Sequence, residues 1–439
     1  MKTSFSEAVS SRPVGLFQLS VVLAVLLVLL FDGMDAQSLG LVVPIVLKEW
    51  GIARAEFGWA LSASIFGMGV GALAGGWLGD RIGRLRSLFV SVLVFGCATI
   101  AASRAGDVPA MTALRFAGGL GFGAAGPNAL ALATEWMPLR FRTYVVALLA
   151  IGSPAGGSIA AAIAPFVLAD YGWRGLFLAF GAGSIVVGGL ALLVVRESPS
   201  FHLAQGRSDK AHAVARRVFG AQVELVPERA DGPRGGIDTG VFDRANLRLT
   251  LGASLAFSAL TALVYSINYW GTELFTSRGL SQAEAIGVIF WGGIVSVLGA
   301  LLSGWTVRAF GSRATIVACS LAAFAVTVAL GAVLGQQAPS VAAVTVLACA
   351  LGGIGSLGIG TLYSTIALGY PVSCRSTGIG LGMMTGRAGG ILMTFYGGSL
   401  LDLGGASVMP FFAVAAGCTL LVGASAWIVD RHVAPARPE

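Results

Sequence analysis

Charge is what this 439-residue sequence has least of: Asp, Glu, Lys and Arg together make up 11%, less than half the share of an ordinary soluble domain. With 56% hydrophobic residues and a mean hydropathy of +0.84, most of its surface must prefer lipid to water. That excludes soluble enzymes, nucleic-acid binders and disordered scaffolds. Histidine is scarce too: His202, His212 and His432 stand in polar segments and no two are four apart, so neither a metal nor a cofactor is expected. The five cysteines, Cys97, Cys319, Cys349, Cys374 and Cys418, are scattered through apolar stretches without a C-x-x-C pair. They read as small buried hydrophobes and not as a disulfide framework. The net charge of +7 therefore speaks to membrane topology, and no nucleic-acid partner is implied.

Long apolar runs fill the rest. A helix needs about 20 apolar residues to cross a bilayer, and that rule places spans at 17–40, 57–79, 87–105, 108–134, 142–169, 173–195, 248–271, 284–307, 313–336, 339–369, 376–402 and 406–429. The expected architecture is all-α, with twelve transmembrane helices. The first run, from Val14 to Phe31, is too long for a signal peptide and lacks a small-residue cleavage site. The longest polar interruption, with the turn-rich stretch PERADGPRGGIDTG, divides the chain into an N-terminal six-helix half (1–195), a cytoplasmic linker (196–247) and a C-terminal six-helix half (248–439). The linker's basic residues alternate with acidic ones and have few aromatics among them, which reads as a solvated face.

Lys and Arg between spans fall 21 to 5 in favour of the side bearing both termini, so both termini are expected in the cytoplasm and the protein in the inner membrane. An internal repeat supports the two-half division. GGWLGDRIGRLR (Gly75 to Arg86) after span 2 matches SGWTVRAFGSR (Ser303 to Arg313) after span 8 in its G-W, spaced glycine and final arginine. Two such halves make a transporter, with its site at their interface near the bilayer midplane.

Gly76, Asp80, Arg81, Gly83 and Arg84 resemble the signature loop of the major facilitator superfamily. Gly71, Gly75 and Gly76 would let helices approach closely, while Asp80 and the arginines would form a charge lock at the cytoplasmic mouth. In the second copy Arg308 stands where the pattern has Asp. Glu135, at the end of span 4 near Arg140 and Arg142, either joins this gating network, as the resemblance implies, or makes an ordinary surface pair.

Asp32 and Asp35, within FDGMDAQSLG of span 1, lie three residues apart on one face of an apolar helix. Carboxylates there are costly unless protonated, paired or facing a wet cavity, and mutual repulsion makes protonation a natural switch. Together with RFAGGLGFGAAGPNALALATEWMPLRFR, WRGLF, RESPSFHLAQGR and YPVSCRSTGIGLGMMTGRAGG, this D-G-x-D element resembles the aromatic acid:proton symporter family. The resemblance spans both halves in order. It implies import of benzoate-, hydroxybenzoate- or phenylpropanoate-like anions with protons, by a protein that is not an enzyme; the partners are a small aromatic carboxylate, protons and the lipid bilayer, and a monomer is expected.

Arg387, deep in span 11 between Gly386 and Gly389, is the first choice for the substrate carboxylate, because a planar guanidinium suits bidentate binding. Arg115 could join it, could pair with Asp32 or Asp35, or could snorkel to the interface. Tyr265, Asn268, Tyr269 and Trp270 of span 7, with Tyr363 of span 10, could line a ring site, although an interfacial belt is the plainer reading for Trp270. Met393 and Thr394 replace the family's G-P after Arg387. Gly121, Gly123 and Gly126 match G-x-G-x-x-G but lie inside a helix with no preceding strand, so they are packing glycines and not a dinucleotide fingerprint. The runner-up functions are a proton antiporter exporting amphipathic compounds and a non-transporting membrane sensor of aromatics.

Overall fold

A computed structural model describes residues 2–219, 224–226, 240–371, 374–405 and 407–435. Ahead of the first span lie a short strand β1 (Lys2–Ser4) and helix α1 (Phe5–Ser10). The first half continues with α2 (Leu16–Trp50), α3 (Arg54–Ile82), α4 (Arg84–Ala102), α5 (Val108–Trp136) and α6 (Leu139–Val194). Spans 5 and 6 are the two arms of α6, broken only at Gly172, whose φ of 62° and ψ of −170° suit a residue without a Cβ. After α7 (Pro199–Ala204), α8 (Ser208–Phe219) and β2 (Glu224–Val226), the second half is α9 (Arg244–Thr276), α10 (Gln282–Phe310), α11 (Ser312–Leu334), α12 (Val341–Gly369), α13 (Arg375–Gly404) and α14 (Met409–Ile428).

Among the described residues nine helices are long and apolar enough to cross a membrane by composition. The two arms of α6 make that ten spans, and α5 and α13 complete twelve. These last two helices are diluted by glycine and interrupted by the arginines expected to do the chemistry.

Within the first half α2 packs along α6, and α3 and α4 pack on α5; in the second, α9 lies against α13 and α14, and α10 and α11 against α12. Glycines set the spacing. A Cβ on Gly121 would meet Ser91 and Phe95 of α4, and one on Gly123 would meet Met68 of α3, so both are packing glycines as expected. The halves meet through α3 with α13, α6 with α10, and α2 with α9.

The linker is not the uniformly solvated face its composition suggests. Ala211 and Ala215 of α8 are buried, the Phe219 ring lies 6.3 Å from Phe5 and 6.5 Å from Trp136, and Arg12 stacks over Phe219 at 4.4 Å. β2 pairs in parallel with β1, and His212 Nε2 accepts from the Leu225 amide at 3.0 Å. The linker's beginning is thus folded onto the first half. Of PERADGPRGGIDTG only Gly240 is described; Arg229 and Arg234 lie outside the described residues.

Candidate substrate and proton site

The D-G-x-D element sits in the middle of α2, where Gly33 lets the helix touch the α6 backbone at Ser153. Asp32 and Asp35 are 2% and 5% exposed, yet their surroundings differ. Asp35 Oδ1 accepts from Thr99 Oγ1 at 2.6 Å and lies 3.5 Å from Arg115 Nη1. Arg115 Nη2 donates to Thr99 Oγ1 at 3.1 Å, and the guanidinium stacks over Phe177 at 4.8 Å. At 3% exposure Arg115 does not snorkel; of the roles left open for it, the structure shows the pair with Asp35. Asp32 Oδ1 is buried without a hydrogen-bond partner, a costly arrangement for an ionised group. The first half therefore holds one neutralised carboxylate and one orphan.

The WRGLF string accounts for part of this geometry. Trp173 Nε1 and Arg174 Nη1 both donate to Glu49, at 2.7 and 2.6 Å. They fix the arm of α6 that carries Phe177 beneath Arg115.

In the second half Gly389 lets α13 cross α9 at Ser258, and a Cβ on Gly390 would stand 2.5 Å from the Tyr265 ring. Arg387 is half-buried, and its Cδ lies 3.9 Å from where a Cβ on Gly69 of α3 would stand, so the side chain reaches the interface of the halves. It stands between Gly386, which faces Phe257, and Gly390, which faces the Tyr265 ring, and it makes no hydrogen bond or ion pair with any described residue. Tyr265 packs edge-on to Tyr269 at 5.6 Å, and Tyr363 to Phe257 at 5.0 Å. Tyr269 lies where α9 meets α2, its Cα 3.2 Å from where a Cβ on Gly40 would stand.

The remaining expectations fare unevenly. Asn268 uses its backbone carbonyl to accept from Gln37 at 2.9 Å, and it lines a cleft inside the second half with Val288, Gly292 and Ser296. Trp270 is no interfacial belt residue: it is fully buried and donates to the Thr394 carbonyl at 2.9 Å. Thr394 itself donates to Gly390 O at 2.9 Å, and α13 runs on through Met393 and Thr394.

At the end bearing the termini, Arg84 forms an ion pair with Glu135, which takes Glu135 into the signature-loop network instead of toward Arg140 or Arg142. Asp80 is exposed and makes no ion pair with a described residue, so it is not part of a lock in this conformation. Arg81 stacks on Trp77 at 4.1 Å. Gly76 faces open space, in contrast to the close-packing role expected of it; Gly71 against Leu120, Gly75 against Ala124 and Gly79 against Asn128 make the close approaches. Asn128, whose amide donates to Gly75 O and Ser87 Oγ at 2.9 and 3.0 Å, went unnoticed in the sequence. So did Glu197 of RESPSFHLAQGR, which accepts from the Arg84 and Leu85 amides at 3.1 and 3.0 Å and so caps α4. Burial pushes the Glu197 carboxyl above the usual range, against the opposing pull of these backbone donors.

Comparison with known proteins agrees with this geometry. The family model for the Major Facilitator Superfamily matches residues 25–394. The chain is 31% identical over 409 residues to the 4-hydroxybenzoate transporter PcaK of Pseudomonas aeruginosa, covering 90% of this chain and 89% of that one. It is 30% identical over 407 residues to the 3-(3-hydroxy-phenyl)propionate transporter of Escherichia coli, covering 92% of each. Among solved structures, the inward open conformation of the xylose transporter XylE from E. coli superposes with a TM-score of 0.77 at 17% identity, covering 94% of this chain and 97% of that one. Fold, motifs and relatives together place the chain in the Major Facilitator Superfamily, as a multi-pass membrane transporter of its aromatic acid transporter family.

Proposed function

We propose that this transporter imports a small aromatic carboxylate together with protons by alternating access, as a monomer in the inner membrane with both termini cytoplasmic. Segments 1–195 and 248–439 would act as the rocking bodies, with 196–247 between them. The observation that carries the reading is Arg387, a half-buried cation without an ion-pair or hydrogen-bond partner among the described residues, on the stretch of α13 that packs against Tyr265 and Phe257 and reaches Gly69 of the other half. An unpaired guanidinium there calls for an anion, and an aromatic ring on that anion suits Tyr265 and Tyr363. The relatives, named for 4-hydroxybenzoate and 3-(3-hydroxy-phenyl)propionate, carry substrates of that class.

The two acids then divide the work. Asp35, paired with Arg115 and Thr99, holds α2, α4 and α5 in register. Asp32, whose buried Oδ1 has no hydrogen-bond partner among the described residues, takes the proton. Closing the halves around an ionised, unpaired Asp32 would cost several kcal/mol, so the occluded state forms once substrate has neutralised Arg387 and a proton has neutralised Asp32.

The test is uptake of a labelled aromatic-carboxylate panel by proteoliposomes of the purified protein, with and without an inward proton gradient. Accumulation above equilibrium only with the gradient supports the reading. Gradient-driven extrusion would replace import by export, and binding without turnover would replace transport by sensing.

A further inference from the structure

On the side away from the termini the halves are joined by a compact set of polar contacts. Arg54, the first residue of α3, donates through Nε to Glu273 of α9 at 2.7 Å, and its Nη1 lies 3.5 Å from Asp402 of α13. Asp402 also accepts from the Ala55 amide at 3.0 Å, so a carboxylate of the second half caps a helix of the first. Glu273 is 6% exposed. One cation thus sits between two acids, and each acid comes from a different helix of the opposite half.

The backbones around this cluster are fitted to each other. Gly58 abuts the Phe395 carbonyl and Gly398 the Arg54 carbonyl, both across α3 and α13, while a Cβ on Gly40 would stand 2.5 Å from the Asn268 carbonyl across α2 and α9. Thr272 Oγ1 donates to the Gly40 carbonyl, and Gln282 Nε2 to the Leu41 carbonyl at 2.8 Å. The glycine seam supplies shape. The ion cluster supplies the directional attraction that must break when this side opens, sheltered at Glu273 and open to solvent at Asp402.

We propose that Arg54, Glu273 and Asp402 form the far-side gate of the transporter, a charge clasp that holds the halves shut on this side and sets the balance between the two access states. The clasp requires only that the halves rock. It does not depend on which substrate or ion is carried. Losing a partner from a largely buried charged hydrogen bond weakens such an interface by about tenfold or more. Because the clasp is made in one access state and broken in the other, that loss appears as a shift of population.

The test uses the full chain in proteoliposomes, with its five cysteines replaced, and measures spin-label distances without substrate. One pair reports the far side (Arg104→Cys with Gln336→Cys, exposed in separate halves) and one the terminus side (Arg86→Cys with Ala314→Cys). In Glu273→Gln/Asp402→Asn the far-side distance is expected to lengthen and the terminus-side distance to shorten, with the population ratio moving about tenfold. The triple variant Arg54→Glu/Glu273→Arg/Asp402→Asn, a swap that keeps one attraction across the halves with its sign reversed and removes the acid that would repel the new carboxylate, is expected to bring the distribution back toward the parent. Unchanged distances in the neutral double variant overturn the proposal. So does a swap that behaves like the neutral variant, because the residues would then act through packing alone.

Discussion

The two halves repeat one layout but treat charge in opposite ways. In the first half the central charges are acidic and the sole arginine beside them is matched: Arg115 is held by Asp35, Thr99 and the face of Phe177. In the second the central charge is Arg387, with no carboxylate paired to it among the described residues, on a stretch of α13 packed against Tyr265 and Phe257. The same inversion runs through the repeated loops. The first-half loop is held by a side chain, with Glu197 capping α4. Its second-half counterpart is held by the segment after α14: Ser312 N donates to the Val433 carbonyl and Val433 N to Ser312 Oγ, each at 2.9 Å, with His432 3.2 Å from the same hydroxyl. A duplicated scaffold thus keeps its helix crossings while its polar groups diverge, leaving carboxylates at the centre of one half and an arginine at the centre of the other.

The sharpest way to break that division is Arg387→Gln. It is expected to lower equilibrium binding of an aromatic carboxylate by about 100-fold or more, the scale set by truncating one partner of a buried charge pair. Arg387→Lys is expected to recover only part of this, because a point charge lacks the bidentate fork; binding of radiolabelled substrate to purified protein checks both. Next come the acids. Asp35→Asn strands Arg115 and is expected to cost about 3 kcal/mol, read as a lower thermal midpoint, and adding Arg115→Gln is expected to return most of it. Asp32→Asn is expected to leave the midpoint in place and abolish gradient-driven accumulation while sparing substrate exchange. Equal destabilisation by the two Asn variants would erase the distinction between the acids.

Smaller effects separate the loop clasps. Glu197→Ala and deletion of the chain from Arg431 onward are each expected to cost about 1–2 kcal/mol, with hydrogen exchange rising at the start of α4 in the first case and of α11 in the second. The smallest effect is expected at His202 on α7. Burial, aided by Arg207, Lys210 and Arg86, lowers its pKa from 6.5. Below about pH 6.5 the unfolded chain takes up a proton that the folded chain resists, so this stability is present above that pH and is lost as pH falls through the folded value. The thermal midpoint of the parent protein is therefore expected to fall more steeply with acidification than that of His202→Gln.

Much of this was legible in the sequence because membrane spans announce themselves by length and composition. Asp32, Asp35, Arg115 and Arg387 stood out for the matching reason that charge inside such spans is expensive. Three things did not show. Which acid is paired was hidden, because Thr99 and Phe177 are unremarkable residues on other helices. The burial of Trp270 was hidden too, since a helix apolar on all sides gives no periodic sign of its inward face. The Arg54 cluster was hidden most deeply: Arg54 looked like a loop-end charge useful only for orientation, and its partners lie 219 and 348 positions away. The linker misled for a similar reason, as Phe219 finds its aromatic neighbours in Phe5 and Trp136 and not in its own segment.

The pairing of β1 with β2 has a consequence in time. A chain is made from N- to C-terminus, so residues 2–4 emerge before the helices of the first half, yet their partner 224–226 appears only after every one of those helices has been synthesised. Two three-residue strands are marginal alone and rely on Phe5 seated edge-on against Trp136 at 5.2 Å, which itself awaits the end of α5. Residues made ahead of the first half's helices are thus among the last of that half to be fastened, and a change at Lys2–Ser4 burdens a late step of assembly.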